Sequence, residues 1–352
     1  MGIEILRTLP AGEWAEFVAK HPHGNVFHTP EMFEVFRRTK GFAPQIWAAW
    51  QDGRILALFP VAVIWLIDGL LRSFSTRSVA FGSVLYTDDE DGRRGLRHLL
   101  EVYRRERGRE VLFTEMRNLA DLTPAQSILN AEGFVFQEHM NYLIDLNLTE
   151  EEIFARIGAK TRKHIRRGVN RNDVRIRTIE RRDGLCEFYE LLSKTYRHAG
   201  VPLSDCSLFQ AALEVLGPKK MVRFSMAYVG DVPVAASADL LYKKVMYGWY
   251  GAVDRDYWKF TPNEVLTWNL LKWGSETGFH VYDFGGAGNP NEKYGVRDFK
   301  AKFGGTRVQY GRNVCVHSPA MLTVCRQAYN VTRKWWPLLR RGAVQNGIRP
   351  VQ

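Results

Sequence analysis

Cysteine is scarce in this chain of 352 residues: Cys186, Cys206, Cys315 and Cys325 are the only four, and none stands in a CxxC or CxxH spacing. That excludes a disulfide scaffold and a cysteine zinc site, and it fits a reducing compartment. Long apolar runs are missing too. The longest, Ile55 to Ile67, falls short of the ~20 residues a bilayer span needs and contains Pro60. Met1 to Pro10 has no basic stretch leading into an apolar run, so no signal peptide is expected and the protein is expected in the cytoplasm. Carboxylates are outnumbered, 38 against 49 Lys and Arg, which leaves a formal charge of +11. Such a surface attracts nucleic acid, phosphorylated metabolites or the anionic inner face of a membrane. His21, His23 and His28 have no common metal-ligand spacing, so no metal is expected.

What is present is ordinary globular material, 45% hydrophobic and 25% charged, long enough for two domains with a core each. Thr29 and Pro30 open a helix that Gly41 stops. Gln51-Asp52-Gly53-Arg54 joins two apolar strands as a hairpin. A strand near Val79 to Tyr86, a basic helix from about Arg93 and a strand at Glu110 to Glu115 follow. Next come a capping box at Thr123 to Gln126 and a strand at Tyr142 to Leu146. The second half repeats this grammar. Thr149 to Glu152 caps a helix that runs into a basic stretch, and a helix spans Cys186 to His198. A meander of three strands covers Val222 to Val253, Thr261 to Glu264 caps the next helix, and strands follow at His280 to Phe284 and Arg307 to Val316. An order found twice predicts an α/β (α+β) protein made by duplication of one unit. The expected division is 1–145, 146–318 and a basic aromatic tail at 319–352.

That order resembles the GNAT acyltransferase fold, and two copies in one chain resemble the FemABX family of aminoacyltransferases and the neighbouring BioF2-like proteins. Three stretches carry the resemblance, which covers about Trp14 to Val316. They are Asp145-Leu146 with Lys160 to Arg167, Tyr247 to Ala252 with Thr261-Pro262-Asn263, and Tyr282 to Gly286 with Phe299-Lys-Ala-Lys-Phe-Gly-Gly305. The resemblance implies two tandem GNAT-like domains. It also implies transfer of an aminoacyl or acyl group onto an amine of a nucleotide- or lipid-linked envelope precursor, with aminoacyl-tRNA as co-substrate and no bound cofactor. Acetyl-CoA is the alternative donor. The Gln/Arg-x-x-Gly-x-Gly/Ala loop that cradles CoA pyrophosphate is lacking between Gly251 and Asn263, which disfavours it. A degenerate transferase serving as a basic module on RNA or membrane is the non-enzyme alternative.

Candidate site residues follow from residue chemistry and from the resemblance together. Between Ile153 and Asn172 there is no acidic residue, while Lys160, Lys163, Arg167 and Arg171 recur at helical spacing, a stripe suited to phosphate or else a solvated face. The resemblance maps an oxyanion-stabilising lysine onto Lys300, with Lys302 as its surface neighbour. The plain alternative has Phe299 and Phe303 anchoring a short helix and both lysines in solvent. Asp283, at a strand end followed by glycines, either takes a proton from the attacking amine or caps the turn. Strand alternation places Tyr247 and Trp249 on one face and Tyr250 on the other, one set core and the other groove. Asn263 and Phe299, inside the matching stretches, complete the substrate-binding candidates. The tail Val331 to Arg341 mixes tryptophan, leucine and cations, suited either to a membrane surface or to packing on the body.

Overall fold

The computed structural model describes residues 2–65, 69–108, 110–170 and 173–325. Arg171 and the tail from residue 326 onward lie outside them. The first half runs β1 (Glu4–Leu6), α1 (Ala11–Lys20), α2 (Pro30–Arg37), β2 (Phe42–Gln45), β3 (Ala48–Gln51), β4 (Arg54–Leu58), β5 (Val61–Ile64), β6 (Arg77–Phe81), β7 (Leu85–Tyr86), α3 (Glu90–Arg107), β8 (Phe113–Arg117), α4 (Gln126–Ala131), β9 (Val135–Gln137) and β10 (Asn141–Asp145). The second runs α5 (Glu150–Arg156), α6 (Ala159–Asn170), β11 (Arg175–Ile179), α7 (Arg182–Ala199), α8 (Ser207–Leu216), β12 (Val222–Val229), β13 (Val232–Tyr242), β14 (Val245–Val253), α9 (Pro262–Glu276), β15 (Val281–Gly286), α10 (Gly295–Ala301), β16 (Thr306–Val308) and β17 (Arg312–Val316).

Each half is organised around one parallel strand pair joined by a helix: β6 and β8 through α3, and β14 and β15 through α9. The other pairings are antiparallel. The halves exchange strands. β10 lies between β15 and β16 in the seven-stranded second sheet, order β11-β12-β13-β14-β15-β10-β16, whereas β17 pairs with β8 and β9 in the first half's sheet, order β2-β5-β6-β8-β17-β9. The single strand expected at Arg307 to Val316 is therefore two. Gly311, at φ +70°, takes the left-handed conformation that lets the chain leave one sheet and enter the other. The expected strand at Val79 to Tyr86 is likewise broken, by Gly82 and Ser83, both at positive φ.

Local chemistry explains most elements. Thr29 Oγ1 accepts from the Met32 amide and Pro30 fills the first turn of α2. The β3–β4 turn carries Asp52 and Gly53 at φ 49° and 82°, the double left-handed signature of a tight hairpin. Thr149 and Glu152 form the expected reciprocal cap. The other two capping boxes do not form. Thr123 donates its hydroxyl to Asp121 instead of capping, and Thr261 sits at φ 54° with its hydroxyl donating to the His164 carbonyl. Elements not expected from sequence include β1, α1, β9, β11 and α8.

One core cluster spans both halves, with Phe27, Phe36, Ala62 and Val79 packed together with Phe188, Phe209, Phe224 and Leu240. Burying that much apolar surface across the boundary makes the halves one cooperative body. Beside this core lies His28, fully buried, its Nδ1 accepting from the Asn25 amide and its Nε2–H donating to the Ser83 carbonyl at 3.3 Å. Burial pulls its pKa from 6.5 to about 3. The folded value lies below the unfolded one, so the stability held by neutral His28 is full above pH 6.5 and drains as pH falls toward 3. The loss is on the order of 4 kcal/mol. Urea midpoints measured from pH 7 down to pH 4 are expected to fall, and His28→Gln to flatten that slope; identical slopes would clear His28 of the effect.

Candidate active site

The second sheet opens where its parallel pair stops. β14 and β15 pair from Val245↔Val281 to Tyr247↔Asp283 and no further. On its other side β14 pairs Gly248 with Asp239 and Tyr250 with Ala238, leaving Trp249 as the extra residue of a bulge. The strands part beyond that point, and polar groups gather in the mouth.

Asp283 is 4% exposed, with Gly285 N donating to Oδ1 at 2.7 Å and Asn141 Nδ2 to both oxygens at 3.1 and 3.3 Å. Burial pushes its carboxyl up to about 6, against the opposing pull of the Gly285 amide, Lys300 and Asn141. Its carboxylate therefore holds the turn, and the strand exchange supplies Asn141. Gly285 has φ +68°, and a Cβ there would stand 3.0 Å from the Gly248 carbonyl oxygen and 3.2 Å from Tyr247 Oη, so only glycine closes this turn.

Lys300 turns into the fold. From α10 its Nζ donates to the carbonyls of Phe284 at 2.5 Å, Gly286 at 2.8 Å and Gly285 at 3.1 Å. An ammonium has three hydrogens, and here three carbonyls take them. Burial lowers its pKa to about 8, with Asp283 opposing. Lys302 differs: its Nζ lies 5.9 Å over the exposed side of the Phe299 ring, while Phe299 packs on the fully buried Phe303 at 5.2 Å. Phe299 and Phe303 anchor α10, and that anchor aims Lys300 inward.

Tyr247 reaches the mouth, its ring centre 5.3 Å from that of Phe27 of the first half in an edge-on contact, and burial and Asp283 push the pKa of its hydroxyl above the usual range. The expected split of Tyr247 and Trp249 from Tyr250 is overturned. The bulge breaks the alternation, and Trp249 and Tyr250 both pack on Phe209 of α8, at 6.0 and 4.8 Å. Their faces belong to the aromatic cluster that also holds Tyr196.

Lys160, Lys163 and Arg167 are exposed on α6, as the stripe predicts. Among the described residues no carboxylate pairs with any of the three. Arg162 is drawn off the stripe onto the carbonyls of Ala155 and Ile157. The C-terminal end of α6 abuts the start of α9, where Asn263 sits half-buried: Arg167 donates to the Lys259 carbonyl at 3.1 Å, and Gly168 faces Val265. The C-terminal end of the stripe and Asn263 are thus brought together with a helix N-terminus, while α6 begins beside the end of α10, where the Gly158 amide donates to the Lys302 carbonyl at 2.8 Å.

Sequence reasoning missed the residues that face this mouth from the first half. Its own parallel pair ends at Phe81↔Arg117, and β17 adds Arg312 opposite Arg117. Glu115 binds both arginines, through Arg117 Nη2 at 3.1 Å and through Arg312 Nη1, and Arg312 Nη2 meets His139 Nε2 at 3.1 Å. His139 in turn stands against Gly286, where a Cβ would lie 2.6 Å from Nε2. The open ends of both strand pairs therefore meet. Charged residues at inward positions of apolar strands were the only sequence signal.

Comparison with known proteins agrees with this geometry. Residues 156–300 match the acetyltransferase (GNAT) domain family. The crystal structure of FemX superposes with a TM-score of 0.69 at 16% identity, covering 91% of this chain and 99% of that one. A lipid II:glycine glycyltransferase of Staphylococcus haemolyticus is 24% identical over 82% of this chain and 87% of its own length. The chain has the fold of FemX, and its second half matches the GNAT domain family. Another solved structure shares this fold. A tandem GNAT protein from the clavulanic acid biosynthesis pathway has a TM-score of 0.58 at 13% identity, over 91% of this chain and all of that one. Among the described residues, no helix is long and apolar enough to cross a membrane.

Proposed function

We propose that this chain moves an aminoacyl group from aminoacyl-tRNA onto an amine of a lipid- or nucleotide-linked cell-wall precursor. The observation that carries the donor assignment is the α6 stripe. Lys160, Lys163 and Arg167 stand unpaired by any described carboxylate and end at the start of α9, where helix amides add positive potential. A polyanion fits that surface. The similarity to a glycyltransferase over most of both chains supports the aminoacyl cargo and the acceptor class.

In the reaction the acceptor nitrogen attacks the ester carbonyl, a C–N bond forms, the ester C–O bond breaks, and the amine proton ends on the released ribose oxygen. The carbonyl sits in the mouth between β14 and β15. Lys300 positions it indirectly: its ammonium fixes residues 284–286 and places a positive charge under the developing oxyanion. Asp283, ionised above pH 6, holds the same turn from the other side through the Gly285 amide and Asn141. The substrate contacts of Tyr247 come from the same mouth, and the precursor's membrane anchor keeps contact with an anionic leaflet within reach of the basic surface.

The acetyltransferase family match favours a second reading, transfer from an acyl-CoA. The two separate by mass. A nucleotide-linked muropeptide incubated with protein and either charged tRNA or acetyl-CoA is expected to gain one amino-acid residue from the first and nothing from the second. An acetyl gain would replace the donor assignment.

A further inference from the structure

The inward face of the first half's sheet holds more positive charge than it neutralises. Register puts Phe81, Arg117 and Arg312 in one row across β6, β8 and β17, and Glu115 with Val314 in the next. Arg77, two residues before Val79 on β6, is on the same face. Three guanidiniums thus surround one carboxylate. Glu115 engages Arg117 and Arg312. Among the described residues no ion pair reaches Arg77, and its buried Nε has no hydrogen-bond partner. Burial first, and the nearby Arg117 charge after it, make both Arg77 and Arg312 less ready to stay charged, and His139 is kept neutral beside them by burial and Arg312.

An unpartnered guanidinium donor, half-buried beside two others, is costly unless something else binds there. The face is reachable: 37% of the Arg117 side chain and 29% of the Arg312 side chain are open. It also adjoins the mouth, through Arg312–His139–Gly286 on one side and Phe81–Phe27–Tyr247 on the other. The guanidinium fork matches planar carboxylate and phosphate oxygens, and each arginine keeps N–H groups that Glu115 does not use.

We propose that Arg77, Arg117 and Arg312 form a receptor for an oxyanion of the substrate, a carboxylate or a phosphate, on the first-half side of the mouth. Assigning that oxyanion to the acceptor rests on the transferase reading; the receptor itself does not. Arg77 supplies the unused donors, and Glu115 keeps the other two forks parallel and spaced.

The test is calorimetric titration of the full chain, without donor, with N-acetyl-alanyl-alanine as the free acid, with its C-terminal amide, and with inorganic phosphate. The free acid or phosphate is expected to bind and the amide not to, and whichever anion binds names the source. Arg77→Met, which orphans no carboxylate, is expected to weaken that binding about tenfold. Arg117→Lys keeps the charge and loses the fork; it is expected to weaken binding severalfold, and it carries the comparison should Arg77→Met not fold. Equal binding of acid and amide, no binding of either anion, or wild-type affinity in the folded variants would overturn the receptor. Transfer to the muropeptide is followed in parallel. Anion binding without transfer would sink the transferase reading alone, and transfer without anion binding would sink this inference alone.

Discussion

Lys300→Met is expected to lower transfer by about 10²- to 10³-fold and to destabilise the fold by about 2 kcal/mol. Both effects have one origin. Three carbonyls at the end of β15 converge on one ammonium, and methionine leaves them facing a buried apolar chain. Water reaches part of the half-buried site and replaces some of the lost bonds, which keeps the stability loss below the sum of three charge-assisted hydrogen bonds. The activity loss is larger, because the freed residues 284–286 no longer fix the mouth and the positive charge under the carbonyl is gone. Lys300→Arg is not expected to rescue either, since a planar fork cannot point three hydrogens at three converging oxygens. Lys302→Met provides the control. It removes an exposed ammonium over Phe299 and is expected to leave urea stability within about 0.5 kcal/mol of wild type. Parallel urea melts and initial rates measure all three variants; a Lys300→Met enzyme as active as Lys302→Met would remove Lys300 from the reaction.

The triple variant Lys160→Gln, Lys163→Gln and Arg167→Gln is expected to raise the KM for charged tRNA about 10²-fold near physiological salt and to leave kcat at saturating donor within about twofold. Each lost phosphate contact also removes one released counterion, so the slope of log K against log salt should shallow by 2 to 3 units, about 0.7 to 0.9 per cation. The fold has little at stake in these side chains. Lys160 and Lys163 are exposed, and Arg167 gives up one hydrogen bond to a backbone carbonyl. Filter binding across a salt series, with initial rates, measures both quantities. An unchanged slope would make the stripe a solvated face.

How much of this was legible in the sequence depends on the range over which each cause acts. Local chemistry read well: the α2 cap at Thr29, the Asp52-Gly53 hairpin, the Thr149–Glu152 box and the three-strand meander all depend on neighbours within a few residues. α8 escaped because its start is marked only by Asp205, whose Oδ1 accepts from the Ser207 amide at 3.0 Å, one residue ahead of the N-cap Cys206, which makes no side-chain bond. The site read only in part. Lys300 and Asp283 were singled out as candidates, but not that three backbone carbonyls hold the one and Asn141 the other, since Asn141 arrives on a strand inserted from 142 positions away. Trp249 and Tyr250 were divided between faces because alternation is a rule for regular strands, and a bulge set by pairing with β13 suspends it. The arginine face needed β17, which joins the first half's sheet only after the chain has passed through the second.

The most direct check on the central claim is a lysine-selective ¹H–¹⁵N spectrum of the side-chain ammonium groups across pH 6 to pH 11. One resonance, absent from Lys300→Met, is expected to keep its protons protected from exchange and to titrate near 8, apart from the surface lysines. If every lysine ammonium exchanges freely and titrates together near the ordinary lysine value of 10.5, the charge is not locked under the mouth.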